Sequence, residues 1–416
     1  MRRWAFAVGM AACAVWAAPV RAQQAVAKQD DSKTPRGVLP LGDPAKTPRL
    51  YVNLWIQPQF VSTFWNQEGS PNVVEGSLPA GVGPNTVRAR ADGTTTNTTF
   101  FRLRRTRVRV VGEMSPYMRS FAEIDVFPVG TGSIFLRNVL ATGIARWAPD
   151  ITTEFSAGSF KVPLTYELLE PSRDRPFLER SLLSIAFFPG DRDVGAWAQT
   201  LVKKKLTLDA AVMNGRTFGE PSAGLLPDYN RGKDVVARAN YNFGPANVGV
   251  GGYFGAGSLN QPDGSVAGYQ RGAAHFEAAL HHVFWEKLGK TGLYSQATYG
   301  QNMDRGVRYA FALPDAPTEP GGDVGTKHQF GSFVRLQQNI GPRLLLGLRH
   351  ELYTTNLGLK DNLSQAFGGL CSINFTRGLD VRVEYVYGVD QSHAEGTAAP
   401  TRISHTLSTW MQARYD

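Results

Sequence analysis

The sequence predicts an all-β protein: a transmembrane antiparallel β-barrel of about sixteen strands narrowed by one inward-folded loop. Three observations carry that expectation. Beyond its first residues the chain has no uninterrupted apolar run near the ~20 residues a membrane helix needs. From Leu50 onward apolar and polar residues alternate with a period of two. The links between alternating segments are short and long by turns, down to the C-terminus. A chain that crosses a membrane without helices must pair its backbone N–H and C=O groups between strands, and only a closed barrel does so completely.

The N-terminus reads as a secretory signal peptide over residues 1–22. Arg2 and Arg3 precede an apolar run from Trp4 to Val20, and Val20-Arg21-Ala22 supplies a small-residue cleavage site. Met10-Ala11-Ala12-Cys13 resembles a lipoprotein cleavage motif, but the apolar run continues well past Cys13, so cleavage before Gln23 is the preferred reading. Loss of Arg2, Arg3 and Arg21 leaves 41 basic against 35 acidic residues, so the net charge falls from +9 to +6. It also leaves Cys371 alone, which excludes an internal disulfide. Residues 23–49 carry Pro35, Pro40, Pro44 and Pro48 without any period and read as a polar linker. The barrel is expected over 50–416.

The strands follow from parity. Leu50, Val52, Leu54, Ile56 and Phe60 share one face and Asn53, Gln57 and Gln59 the other, as a strand between lipid and water requires. Val235, Ala237, Ala239, Tyr241 and Phe243 oppose Arg238, Asn240 and Asn242; Phe276, Ala278, Leu280 and Phe284 oppose His275, Glu277 and His281. Near the end Val381, Val383, Tyr385 and Tyr387 oppose Arg382 and Glu384, and a last strand over 401–416 aligns Leu407, Met411 and Tyr415. A soluble sandwich would show the same alternation, so the links decide. Tight turns fall at 112–116, 148–150, 203–205, 244–245, 285–287, 341–342 and 377–378. Longer links are expected at 66–98, 127–132, 162–190, 214–233, 255–272, 302–327, 354–364 and 390–400. That alternation is the asymmetry of an outer-membrane barrel, with both termini on the periplasmic, short-turn side.

One stretch breaks the pattern. Between Gly158 and Trp197 the chain begins and ends like a strand, yet its middle holds Glu170, Arg173, Asp174, Arg175, Glu179 and Arg180 among prolines with no regular period. A charged insertion of that length needs polar surroundings, and the bore of the barrel offers them.

The blocks FRLRRTRVRVVGEMSPYMRSFAEIDV (Phe101 to Val126), GSFKVP (Gly158 to Pro163), FLERS (Phe177 to Ser181) and PGDRDVG (Pro189 to Gly195), followed by Met213-Asn214-Gly215, resemble in order and spacing the phosphate-selective porin O and P family. The resemblance implies a sixteen-stranded outer-membrane porin, generally a homotrimer, whose 162–190 loop constricts the bore. It marks the family better than the solute, and it leaves phosphate one candidate among small anions. The expected partners are therefore small anions, outer-membrane lipid and copies of the same chain, with no nucleic acid and no cofactor.

Parity assigns the cations. Arg105, Arg107 and Arg109 share a strand face opposite Thr106, Val108 and Val110, so they line the lumen if the valines meet lipid. Arg238, Arg335, Arg349 and Arg382 face inward by the same rule, with Lys161 at the mouth of the irregular stretch. Two readings stay open. The arginines are rungs that draw anions, their guanidinium forks matching phosphate or carboxylate; or they pair with the inward acids Glu123, Asp125, Glu277, Glu351 and Glu384 and set a transverse field only. Within the loop Arg173, Arg175 and Arg180 stand against Glu167, Glu170, Asp174 and Glu179, near neutrality, so salt bridges that pin the loop to the wall are expected there. Arg192, between Asp191 and Asp193, reads as an anchor at the loop's return.

No enzyme is expected. Gly289-Lys290-Thr291 resembles the end of a phosphate-binding loop, but Phe284 occupies the position of the required glycine. His281 and His282 are adjacent and face opposite sides of a strand, which is wrong for shared metal ligation. G-x-S-x-G, H-E-x-x-H and cysteine pairs are absent from the sequence. Lys203-Lys204-Lys205 reads as a solvated turn. Three alternatives to an anion channel remain: a general diffusion pore, a cation-selective one, and a plugged barrel that binds or anchors.

Overall fold

A computed structural model describes residues 49–67, 98–126, 134–188, 191–215, 232–260, 266–285, 288–303, 327–376, 378–391 and 402–415. The signal peptide, nearly all of the linker, most of the long links and Asp416 lie outside the described residues. The sixteen strands are β1 (Arg49–Gln67), β2 (Thr98–Ser115), β3 (Met118–Val126), β4 (Ile134–Ala148), β5 (Ile151–Lys161), β6 (Arg192–Val202), β7 (Leu206–Met213) and β8 (Asp234–Asn242), then β9 (Ala246–Asn260), β10 (Val266–Trp285), β11 (Gly289–Gln301), β12 (His328–Ile340), β13 (Leu344–Thr354), β14 (Ser364–Thr376), β15 (Leu379–Asp390) and β16 (Arg402–Tyr415). Each pairs antiparallel with its sequence neighbours, and β1 pairs with β16 to close the barrel. Closure removes every free strand edge, which is what a sheet without water at its rim requires.

Alternation sorts the side chains as expected. Phe101, Phe254, Leu348 and Phe375 lie exposed on the outer surface, while Gln57, Arg107, Arg238, Glu277 and Gln296 are buried inside. In β16 the outward Leu407 and Met411 alternate with the inward Ser408, Trp410 and Gln412. No helix of the described residues is long and apolar enough to cross a membrane.

The tight turns expected at 148–150, 203–205, 244–245 and 341–342 fall between strands; the one expected at 112–116 lies at 116–117, since β2 runs on to Ser115, and those at 285–287 and 377–378 include residues outside the described ones. Lys203 and Lys204 both take positive φ (50° and 56°), the conformation of a two-residue hairpin turn whose twist matches the flanking strands. One expected link was too long. The span 255–272 is mostly strand, since β9 runs to Asn260 and β10 begins at Val266, so only residues 261–265 separate them. Glycine, alanine and serine dilute the hydrophobic signal there, and the inward Arg271 was lost with it. It pairs with Asp234, both side chains being fully buried.

Candidate functional site

The segment from Val162 to Phe188 leaves the end of β5 and lies inside the barrel. It holds two short helices that the sequence pattern did not reveal: α1 (Tyr166–Leu169) and α2 (Leu182–Phe187). Both are locally specified at their starts. Thr165 accepts a hydrogen bond from the Leu168 amide and Ser181 one from the Ser184 amide, as N-caps do. One or two turns are too short for a hydrophobic period, so capping residues were the available signal.

Apolar burial seats the segment. Leu164, Leu168, Leu183, Phe187 and Phe188 pack on Val236, Tyr253, Phe333 and Tyr353 of the wall, and Phe177 and Leu178 pack on Leu370 and Trp410. Each such side chain contributes about 1.5–3 kcal/mol when fully buried. Gly251 and Gly331 make room: a Cβ on either would lie 2.9 and 2.8 Å from Leu164 and Leu183.

Polar groups then fix its orientation. Three wall glutamates accept loop backbone amides: Glu277 on β10 from Tyr166, Glu384 on β15 from Leu178, and Glu351 on β13 from Leu182. Wall arginines do the reverse. Arg349 donates to the Glu179 carbonyl at 2.9 Å, and Arg382 to the carbonyls of Arg175 and Pro176 at 2.6 and 3.1 Å. Arg335 forms paired hydrogen bonds of 3.0 and 3.1 Å with Glu170. Inside the segment, buried Glu167 accepts from the Ser181 amide and hydroxyl and from the Ser184 hydroxyl, and Arg180 reaches Asp191.

The β2 arginines sit opposite. Arg107 bonds Asp125 at 2.9 Å and the Ser172 hydroxyl at 2.7 Å; Arg109 bonds Glu123 at 3.1 Å. Arg105 donates to Gln57 at 2.8 Å and to the Leu178 carbonyl at 3.2 Å. Its neighbour Arg104, which strict parity would aim at lipid, also turns inward and makes paired bonds of 2.6 and 2.8 Å with Glu179. The cause is a register shift at Gln57/Pro58. Gln57 pairs with Arg105 and Pro58 with Leu103, which leaves Arg104 as an extra residue in a bulge. Pro58 has no N–H to give the ladder, and that is the signal that could have located the bulge. Burial would raise the Glu179 carboxyl, but Arg104 and Arg105 outweigh it and hold it well below the usual carboxylate range. Arg349 and the serine hydroxyls do the same for Glu167, and Arg180 and Arg192 for Asp191.

A cavity of about 200 Å³ opens between the inward segment and the inner faces of β1 to β6. β1 and β2 contribute one side chain each to its wall, Trp55 and Arg109, and β3 to β6 two each. Its cations are Arg109, Lys161, Arg173 and Arg192, and its one acid is Glu123. Glu123 is already shared by Arg107, Arg109 and Arg192. Lys161 donates to the carbonyls of Leu169 and Glu170 at 3.1 and 2.7 Å, and among the described residues no carboxylate comes within ion-pair distance of it. Arg109 lies over the rings of Trp55 and Phe121, 5.5 and 5.0 Å from their centroids. Trp55 is 2% exposed, and neither its indole N–H nor the Arg109 Nε has an acceptor.

The residues singled out from sequence thus divide. Arg109, Lys161, Arg173 and Arg192 meet at the cavity. Arg105, Arg107 and Arg175 are buried beside or within the segment. Arg238, Arg335, Arg349 and Arg382 lie outside it, each in an ion pair: Arg238 with Asp209 and Glu277, Arg335 with Glu170, Arg349 with Glu351, Arg382 with Asp380. The sequence reading missed Arg104, the aromatic wall of Trp55 and Phe121, and the backbone amides as ligands for wall glutamates. His281 and His282 do face opposite ways, meeting Tyr294 and Phe284 edge-on respectively. Among the described residues no cluster of potential metal ligands occurs.

An apolar exterior, a charged interior and full closure define the chain as a sixteen-stranded membrane β-barrel. Solved outer-membrane channels share this fold. The channel DcaP of Acinetobacter baumannii superposes with a TM-score of 0.55 at 13% identity, over 87% of this chain and 97% of that one. OprB of Pseudomonas putida gives 0.54 at 8% identity, over 87% and 94%. The anion-selective porin from Comamonas acidovorans gives 0.52 at 10% identity, over 88% and 100%. No protein-family profile matches the chain. No curated protein matches its sequence.

Proposed function

We propose that the protein is an outer-membrane porin through which small anions diffuse passively, the Val162–Phe188 segment constricting the bore and the cavity beside β1 to β6 forming the narrow part of the path. The observation that carries this reading is the cavity's charge: four cations face it with one carboxylate, which two of them, Arg109 and Arg192, already share with Arg107. Screening over about 8 Å at physiological salt leaves only such narrow places able to filter ions. Inorganic phosphate, named by the family resemblance, is one candidate solute. Homotrimeric assembly and export by the N-terminal leader belong to the same reading.

Reversal potential across a planar bilayer under a KCl gradient tests it. Anion selectivity is expected; a cation-selective sign would overturn the anion claim and leave the porin claim standing. A second reading, a plugged barrel that binds or anchors, is favoured by the apolar packing that fills the β7 to β16 side. Absence of any steady single-channel current would establish it instead.

A further inference from the structure

We propose that the cavity beside Lys161 is a binding site for organic carboxylates, solutes with one anionic head and an apolar body, in preference to inorganic oxyanions. This rests on the channel reading above and narrows its solute class.

The polar part of the cavity is a set of donors in want of an acceptor. Four cations line it, Arg109, Lys161, Arg173 and Arg192, against the single carboxylate of Glu123. Lys161 donates to two carbonyls, keeps one N–H to spare and, among the described residues, meets no carboxylate. The acceptors nearby are committed: Ser172 to Arg107, Asn138 to Arg192, Glu123 to three arginines. A carboxylate, with two oxygens and about four lone-pair sites, supplies what these donors lack.

The rest of the wall is apolar, with Leu140, Phe160 and Trp197 facing the same space. An inorganic phosphate is hydrophilic on all sides and would be desolvated against that wall without compensation. A carboxylate on a hydrocarbon or aromatic body sets its head among the donors and its body on the rings. The volume, about 200 Å³, equals that of roughly seven waters at ~30 Å³ each, which leaves room for a body beyond the head.

The test uses the purified full-length protein in planar bilayers in KCl, with benzoate, inorganic phosphate and benzyl alcohol as probes. Benzoate is expected to block the single-channel current at about one-tenth the phosphate concentration or less, and benzyl alcohol not to block. Lys161→Gln should weaken benzoate block about tenfold, and Leu140→Ala, which trims the apolar wall, several-fold. Both variants are first checked for the heat-modifiable gel shift of a folded barrel. Phosphate blocking as well as benzoate, benzyl alcohol blocking as well as benzoate, or folded variants with unchanged block would each overturn the inference. If no steady current is seen the channel reading fails by itself, and tryptophan fluorescence of the detergent-solubilised protein decides the site. Saturable quenching by benzoate that Lys161→Gln weakens supports it; quenching equal for benzoate and phosphate, or none, overturns it.

Discussion

Glu170 and Arg335 stand 165 residues apart in sequence and meet inside the barrel in a bidentate pair, the guanidinium 4.3 Å from the Tyr294 ring centroid. Removing one member leaves the other charge buried and unpaired, which costs about 3–5 kcal/mol. Glu170→Gln should therefore lower the temperature at which the folded barrel loses its gel shift and make open-channel current noisier. The double variant Glu170→Gln/Arg335→Met should recover much of the loss. Equal behaviour of the single and double variants would show that the pair does not hold the segment.

Glu179 gives a pH signature. Its folded pKa lies below the unfolded value of about 4.3, so its contribution is complete above that value and is lost as pH falls through the lower folded one. The stability difference between the wild type and Glu179→Gln should stay constant from pH 8 to about 5 and shrink below about 4. Chemical denaturation at several pH values measures it. A difference that shrinks on the alkaline side would contradict the pairing with Arg104.

The three wall glutamates that accept loop amides can be separated by hydrogen exchange. Glu384→Ala deletes the acceptor of the Leu178 amide, so exchange there should quicken about tenfold or more while the Tyr166 and Leu182 amides, held by Glu277 and Glu351, stay slow. Glu384→Gln keeps one acceptor oxygen and should have a smaller effect. Uniform acceleration at all three sites would mean that the segment is released as one body.

The bulge opposite Pro58 is open to labelling. In a background with Cys371→Ser, Arg104→Cys should react with a charged, water-soluble thiol reagent, because position 104 faces the interior. Leu103→Cys, on the outer surface, should resist it in lipid vesicles. The opposite pattern would restore strict alternation through β2.

Period-two alternation made most of the barrel legible, because burial on one face writes itself into every second residue. It placed Arg107, Arg238, Glu277 and Arg382 inside correctly. It failed where geometry departs from the period: at Arg104, where a bulge shifts the phase, and over 255–272, where small residues mute the contrast. The inward segment was legible as an exception to the pattern, while α1 and α2, too short for a period, were not. The cavity was the least legible feature. Its cations come from β2, β5, the segment and β6, and only the curvature of the sheet and the inward fold of the segment bring them together. Nor does parity tell what an inward arginine meets: Arg335 and Arg109 share the same sequence signature, yet one is locked to Glu170 of the segment and the other, paired with Glu123 of the wall, borders the cavity.

The apolar packing of the segment on β8, β9, β12 and β13 gives the two sides of one cylinder different duties. Among the described residues the packed segment occupies the β7 to β16 side, and the cavity lies on the β1 to β6 flank. Random inward-facing substitutions should then sort by azimuth: those on the filled side register as failures to assemble, and those on β1 to β6 as well-assembled barrels with altered traffic. A screen scoring expression and solute uptake separately would trace the boundary between the two around the circumference, and it would map the passage without a ligand ever being trapped in it.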